Sequence, residues 1–149
     1  MSLKSVLFAL ALASLMSGAI AAPDLKQQVT DTERAFAATM KARDHADFTS
    51  FLAEDAIFSP GPNALRGKAA VAAGWKKFYE GGNAPFSWEP DKVEVLASGA
   101  LAYSSGPVYG PEGKQIARFN SVWRLEPDGK WRIVFDSGED VCNCAKPKS

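Results

Sequence analysis

Residues 122–138 have the sequence V-W-R-L-E-P-D-G-K-W-R-I-V-F-D-S-G and predict two strands joined by a tight turn. Apolar and polar residues alternate on both sides of the turn, as they do in strands that bury one face. Residues 127–129, Pro-Asp-Gly, have the composition of a three-residue hairpin loop closed by Glu126 and Lys130. The stretch therefore indicates an antiparallel hairpin.

The hairpin register decides which side chains share a face of the sheet. A regular hairpin places Asn120 opposite Asp136 and Val122 opposite Val134. The face expected to form the core carries Phe119, Trp123, Leu125, Trp131, Ile133 and Phe135. The other face carries Arg118, Asn120, Val122, Val134 and Asp136. A one-residue bulge would move Asp136 to the opposite face.

Further strands and helices extend the pattern outward from the hairpin. Strands are predicted over residues 86–97, 101–109, 115–126 and 130–138, with a short strand at 56–58. A first helix is predicted to begin after Asp24 and end near Asp44, a short second helix to be capped by Asp47, and a third to span 67–79. Helices followed by consecutive strands predict an α+β domain whose antiparallel sheet carries the helices on one face.

The first 21 residues have the pattern of a secretory signal peptide. Lys4 precedes an apolar run over residues 6–16, and small residues lead to a predicted cleavage after Ala21. The run is too short to span a bilayer, so we expect a periplasmic or secreted protein with no membrane anchor after cleavage. We place the folded domain at residues 22–140 and a C-terminal tail at 141–149.

The tail contains Cys142 and Cys144, separated by one residue. An exported protein meets oxidising conditions, which leave three states open: a local disulfide, bridges to a second subunit, or free thiols. His45 is the one histidine of the chain, so these cysteines lack the partners of a zinc site. We expect no metal and no cofactor.

The charge balance bears on the class of partner. The chain has 17 basic and 17 acidic residues, whereas neutralising several phosphates requires a basic excess. Nucleic acid is therefore not an expected partner.

Three motifs together resemble a known group of proteins. They are F-L-A-E-D-A-I-F at 51–58, R-G-K-A-A-V at 66–71, and the hairpin at 122–138. In order and spacing they resemble the SnoaL-like and ketosteroid-isomerase-like families of the nuclear transport factor 2-like superfamily. The resemblance covers nearly all of the chain after residue 21. It implies a cone formed by a curved sheet around the first helix, a mostly apolar cavity, and often a homodimer across the outer face of the sheet.

The resemblance also identifies positions where this chain departs from the ketosteroid isomerases. The position of their proton-abstracting aspartate is Pro60, that of their enolate-stabilising tyrosine is Phe36, and that of its acidic partner is Ser121. That chemistry needs a base and two hydrogen-bond donors at the developing oxyanion. We therefore predict no ketosteroid isomerase activity.

Asp136 is the candidate catalytic residue, because a carboxylate in an apolar cavity can serve as acid or base. The alternative is a structural role, such as an ion pair with Arg118. The candidate ligand-binding residues are Tyr103, Asn120, Ser121, Trp75, Trp88 and Arg118. The two tryptophans could equally belong to the core. His45 lies in a predicted connection, where exposure is the default.

Two functions remain open. The first is an exported protein that binds a small hydrophobic ligand and acts on it by acid–base chemistry of the isomerase or lyase type. The second is a non-catalytic homodimeric binding or assembly module. Four tryptophans and nine phenylalanines could fill the cone completely, which favours the second.

Overall fold

The computed structural model describes residues 24–59 and 62–141. The predicted signal peptide, Pro60 and both cysteines lie outside these residues. The helices are α1 (Leu25–Ala42), α2 (His45–Ser50) and α3 (Lys68–Tyr79). The strands are β1 (Leu52–Phe58), β2 (Leu65–Arg66), β3 (Ser87–Trp88), β4 (Lys92–Val95), β5 (Leu101–Tyr109), β6 (Gln115–Leu125) and β7 (Trp131–Asp140). None of the helices in the described ranges is both long enough and apolar enough to cross a membrane.

Helix α1 begins as predicted, because the Asp24 side chain accepts a hydrogen bond of 3.1 Å from the Gln27 backbone N–H. It ends where Arg43 adopts a left-handed conformation with a φ of 61°. Val29, Phe36 and Met40 are buried against the sheet. These three residues therefore form the apolar stripe by which α1 packs into the core.

The cap of α2 was wrongly predicted. The Asp44 side chain, not that of Asp47, accepts the capping hydrogen bond, and the donor is the Asp47 backbone N–H at 2.8 Å. The left-handed Arg43 ends α1 abruptly, so the next helix begins at His45 without a spacer. His45 is half-buried rather than exposed, because its Nε2 lies 2.7 Å from the Ala72 carbonyl oxygen.

The sheet is curved and open, with the strand order β2-β1-β7-β6-β5-β3 and with β4 also paired to β5. Its pairs are antiparallel except for β1 and β7, which run parallel. The predicted α+β class is correct, but the sheet is mixed. Hairpin signals cannot predict this pair, because β1 and β7 lie at opposite ends of the domain sequence.

The strand predicted over 86–97 is divided into β3 and β4, which both pair with β5. Pro90 lies in the break and has no N–H to offer the ladder. Gly106 of β5 faces the break, and a Cβ there would collide with the Glu89 carbonyl oxygen. This close approach places Trp88 over the inner face of the sheet.

A β-bulge in β7 changes the predicted register. Trp123 pairs with Ile133 as expected, but Val122 pairs with Phe135, so Val134 is the extra residue. Beyond the bulge every side chain of β7 changes face, and Asp136 lies opposite Ser121 instead of Asn120. Phe135, predicted to be core, is 47% exposed, and Val134 is buried.

Candidate functional site

A cavity of about 300 Å³ lies between the helices and the inner face of the sheet. This volume is at the lower end of the range for small-molecule sites. Its aromatic lining consists of Phe36, Trp75, Phe78, Phe86, Trp88 and Phe119. The aromatic residues of this domain therefore line the cone without filling it.

Asp136 lines the same cavity because of the bulge in β7. Its Oδ2 accepts a hydrogen bond of 2.8 Å from the Ser121 hydroxyl, and its backbone carbonyl accepts one of 2.8 Å from the Ser59 N–H. Oδ1 has no hydrogen-bond partner among the described residues. One carboxylate oxygen is thus anchored, and the other is available to a ligand.

The pKa of Asp136 is raised from 3.8 to about 7. Burial is the main cause, because an apolar environment disfavours the charged carboxylate. The Ser121 hydrogen bond opposes this increase in pKa, and the negative charge of Glu33 adds to it. Asp136 can therefore accept or release a proton near neutral pH, as a general acid or base requires.

Glu33 is a buried carboxylate that our sequence analysis did not identify. It lies on α1 with no solvent exposure and accepts hydrogen bonds from Trp88 Nε1 at 2.8 Å, Ser104 Oγ at 2.6 Å and Trp123 Nε1 at 3.0 Å. Burial raises its pKa, and the three hydrogen bonds counteract this increase. Its spacing from Val29 places it on the apolar stripe of α1. An acidic residue at such a position is the sequence signal that could have identified Glu33 as buried.

Both candidate tryptophans lie in the cavity wall and also contact the core. The Trp75 ring stacks on Phe48 with a centroid distance of 5.1 Å and meets Phe58 edge to face at 5.3 Å. Trp88 is held by its hydrogen bond to Glu33. The two interpretations from the sequence therefore apply together, since each ring packs on one side and faces the cavity on the other.

Three predicted ligand-binding residues, Tyr103, Asn120 and Arg118, lie on the outer face of the sheet, away from the cavity. The Tyr103 hydroxyl donates to Asn120 Oδ1 at 2.5 Å. Arg118 pairs with Asp91 and donates to the Ser105 hydroxyl at 2.8 Å, so the alternative ion pair with Asp136 is wrong. Side chains alternate along β5 and β6, and these residues occupy the outward positions.

The arginines at the β6–β7 turn have structural partners. Arg124 and Arg132 lie opposite each other. Arg124 pairs with Asp55 and Glu126, and Arg132 pairs with Asp128, each at 2.8 Å. A groove of about 680 Å³ runs beside this turn. Because Arg132 in its wall is already paired, we place the candidate site in the aromatic cavity.

No cluster of three potential metal-ligating side chains occurs within residues 24–59 and 62–141. Asp136 and Glu33 are separate carboxylates with separate hydrogen-bond partners. Asp136 lines the aromatic cavity, whereas Glu33 is buried behind Trp88.

Comparison with known protein families matches residues 33–134 to the SnoaL-like domain. The chain belongs to the SnoaL-like domain family. This match begins within α1, ends within β7 and includes the turn between β6 and β7, so the resemblance inferred from the three motifs is confirmed. A search of curated proteins found no match for this SnoaL-like domain.

Solved structures support the same fold. A nuclear transport factor 2-like protein of unknown function from Pseudomonas putida KT2440 is 18% identical, with a TM-score of 0.65 over 83% of this chain and 92% of that one. A ketosteroid isomerase-like protein from Erwinia carotovora atroseptica SCRI1043 is 16% identical, with a TM-score of 0.61 over 80% and 98% of the two chains. At these identities the similarity establishes the fold of this SnoaL-like domain, and its chemistry has to be inferred from its own residues.

Proposed function

We propose that this SnoaL-like domain binds a small, largely apolar ligand in the aromatic cavity and that Asp136 exchanges a proton with it. The observation that carries the proposal is the position of Asp136, which among the described residues is the charged side chain lining this cavity. Its raised pKa, near 7, allows both protonation states at neutral pH.

The geometry favours isomerisation or elimination, which need a proton moved to or from carbon by one positioned group. General acid–base catalysis of this kind contributes roughly 10²–10⁴-fold to a rate. Ser121 holds Asp136 through Oδ2, so Oδ1 would face the ligand. The ketosteroid isomerase-like neighbour has the same fold. Ketosteroid isomerase activity is not expected of this chain, because Phe36 and Ser121 occupy the positions of the isomerases' enolate-stabilising tyrosine and its acidic partner.

Turnover of 5-nitrobenzisoxazole would test the proposal. The ring of this neutral aromatic compound opens when a base removes its carbon-bound proton, with cleavage of the N–O bond and release of a coloured phenolate. We expect the rate to rise with pH through about 7, where Asp136 ionises, and to fall roughly 10²-fold or more in Asp136→Asn. An equal rate in the wild type and Asp136→Asn would contradict the proposal.

Gly138 offers a second, independent variant for this test. It lines the cavity, and a Cβ at this position meets no atom within 4 Å, so Gly138→Leu should place a side chain in the space a ligand would occupy. Gly82 is equally unobstructed but lies outside the cavity lining, so Gly82→Leu is the matched control. Turnover should be lost in the first variant and retained in the second.

We also propose that the domain is a homodimer joined through the outer face of the sheet. An apolar groove of about 250 Å³ on this face includes Leu96, Tyr103 and Val122. Phe135, paired with Val122, is 47% exposed beside it. A two-fold dimer would cover the same patch on both copies.

Phe135→Glu should convert the dimer to a monomer, because each interface would then bury two unpaired carboxylates. Light scattering coupled to gel filtration would measure the mass. Val141→Glu is the control, since Val141 is also an exposed apolar residue but lies outside the groove. A monomeric wild type, or a dimer unaffected by Phe135→Glu, would argue against this interface.

Export is likewise a proposal. It rests on the pattern of residues 1–21, which lie outside the described residues.

A further inference from the structure

Two acidic side chains lie in the cavity and directly behind its wall. Asp136 lines the cavity, and Glu33 lies buried behind Trp88. None of the described residues that line the cavity is lysine, arginine or histidine. A buried carboxylate is costly unless a positive charge or several donors compensate it. Glu33 has three donors, whereas Asp136 has one side-chain donor, Ser121.

Three arginines on the elements around the cavity have partners elsewhere. On β6, Arg118 pairs with Asp91 and Arg124 pairs with Asp55 on the outer face. On α1, the end of the helix places Arg43 against backbone carbonyls, including that of Phe78. These arginines therefore leave the charge of Asp136 uncompensated.

On α3, Lys77 is exposed, and its Nζ lies 5.0 Å from the centroid of the Phe78 ring. Phe78 is also part of the cavity wall. This contact shows that an aromatic ring of the site already has a cation beside it, in the geometry of a cation–π interaction.

The aromatic walls surround the cavity with rings in several orientations. Trp75 and Phe86 lie at 89° to each other with centroids 6.1 Å apart, and Phe78 and Phe86 lie at 70° and 5.4 Å. Trp88 meets the Phe36 ring at 69°. The face of an aromatic ring is electron-rich, so a cation placed against the face of one of these rings is attracted to it.

We propose that the cavity selects ligands that carry one positive charge, such as an alkylammonium or a protonated nitrogen heterocycle, with Asp136 as the counter-ion. This inference rests on the proposed function, because it assigns a charge to the ligand of the same cavity. An anionic ligand would face the carboxylate of Asp136, and a neutral ligand would leave an ionised Asp136 without a counter-charge. A cation on an apolar frame satisfies both the carboxylate and the rings.

The charge preference should depend on pH. Asp136 is ionised above its pKa of about 7, so a cation should bind more weakly as the pH falls through this value. Glu33 on α1 is the other titratable group acting on Asp136, and its negative charge would also favour a cation. Tyr79 on α3 bonds to Thr39, and burial raises its already high pKa, so it stays neutral over this range.

Choline and its neutral isostere 3,3-dimethylbutan-1-ol form a suitable pair of probes, because both are small and water-soluble and differ in charge. Each would be titrated into the full chain at pH 8 and pH 5.5, and binding followed by NMR chemical shifts. At pH 8 we expect choline to bind about tenfold or more tightly than the neutral alcohol. The preference should shrink at pH 5.5.

Asp136→Asn should remove the preference for choline while retaining the neutral alcohol. Asp91→Asn is the control, since Asp91 is an acid paired on the outer face, and it should keep the preference. Equal or tighter binding of the neutral alcohol by the wild type would overturn the inference and leave the proposed function intact. Failure of both probes to bind, with turnover of 5-nitrobenzisoxazole retained, would also overturn it. Loss of that turnover as well would instead contradict the proposed function.

Discussion

Replacing Glu33 with leucine should lower the free energy of unfolding by about 3 kcal/mol. The substitution leaves three buried donors without their acceptor: the indole N–H groups of Trp88 and Trp123 and the Ser104 hydroxyl. Each unsatisfied buried group costs roughly 1–3 kcal/mol, and the removal of a buried carboxylate offsets part of that cost. Urea unfolding followed by circular dichroism would measure the change.

Two further variants make the result specific. Glu33→Gln keeps one oxygen acceptor at the same position and should therefore lose less stability than Glu33→Leu. Asp31→Leu removes an exposed acid from the same helix and should change stability by about 0.5 kcal/mol or less. An unchanged unfolding midpoint in Glu33→Leu would show that the carboxylate does not hold these donors.

Asp136→Asn should stabilise the protein at pH 8 by about 2–4 kcal/mol and have little effect at pH 4. The pKa of Asp136 is about 7 in the folded state, against an ordinary value of 3.8. Between these values the folded protein binds the proton more tightly than the unfolded chain does. The free energy of unfolding therefore falls as the pH rises from about 4 to 7, and the amide removes this loss. Urea unfolding of both proteins across this pH range gives the difference directly.

Asp128→Asn is the matched control with the opposite sign. Asp128 is exposed, and its hydrogen bond from Arg132 lowers its pKa to about 2. Its contribution to stability is present above the ordinary pKa and is lost as the pH falls toward 2, so Asp128→Asn should not stabilise the protein at pH 8. Burial also raises the pKa of Glu33, so the stability of the wild type and that of Asp136→Asn both keep the pH dependence that comes from Glu33. Equal stability of the wild type and Asp136→Asn at pH 8 would show that the ionised carboxylate of Asp136 does not destabilise the folded protein.

If Asp136→Asn is both more stable and inactive, the wild-type carboxylate is retained at a cost in stability. Such a cost is common at sites that perform chemistry. The same variant would then connect the pH dependence of stability with that of turnover, because one group carries both.

Several local features followed from neighbouring residues alone. Asp24 caps α1, strand β5 spans the predicted residues 101–109, and Glu126 and Lys130 close the turn before β7. These features depend on contacts a few residues apart along the chain, which a sequence pattern records directly. The order of the same elements and the three motifs was enough for the α+β class and the SnoaL-like family.

The candidate site depended on long-range contacts. One extra residue, Val134, turns Asp136 into the cavity, and the parallel pairing with β1 places the Ser59 N–H on its backbone carbonyl. Tyr103 and Asn120 face outward because no bulge interrupts β5 and β6 at these positions, so they alternate regularly with the inward-facing Ser104 and Ser121.

Periodicity thus determined most of the segments that are helix and strand, because hydrogen bonding and alternation are local along the chain. The family followed from the resemblance of the three motifs and from the match over residues 33–134. The sequence also contained Asp136 and Glu33, but it did not show what surrounds either side chain in the folded protein. Their burial, their hydrogen-bond partners and their pKa values arise where α1, β5, β6 and β7 meet. The residues that meet there are distant in sequence, and Trp123 and Glu33, which share a hydrogen bond, are 90 residues apart. Desolvation depends on everything that surrounds a group in space, so only the folded arrangement defines the acid–base site.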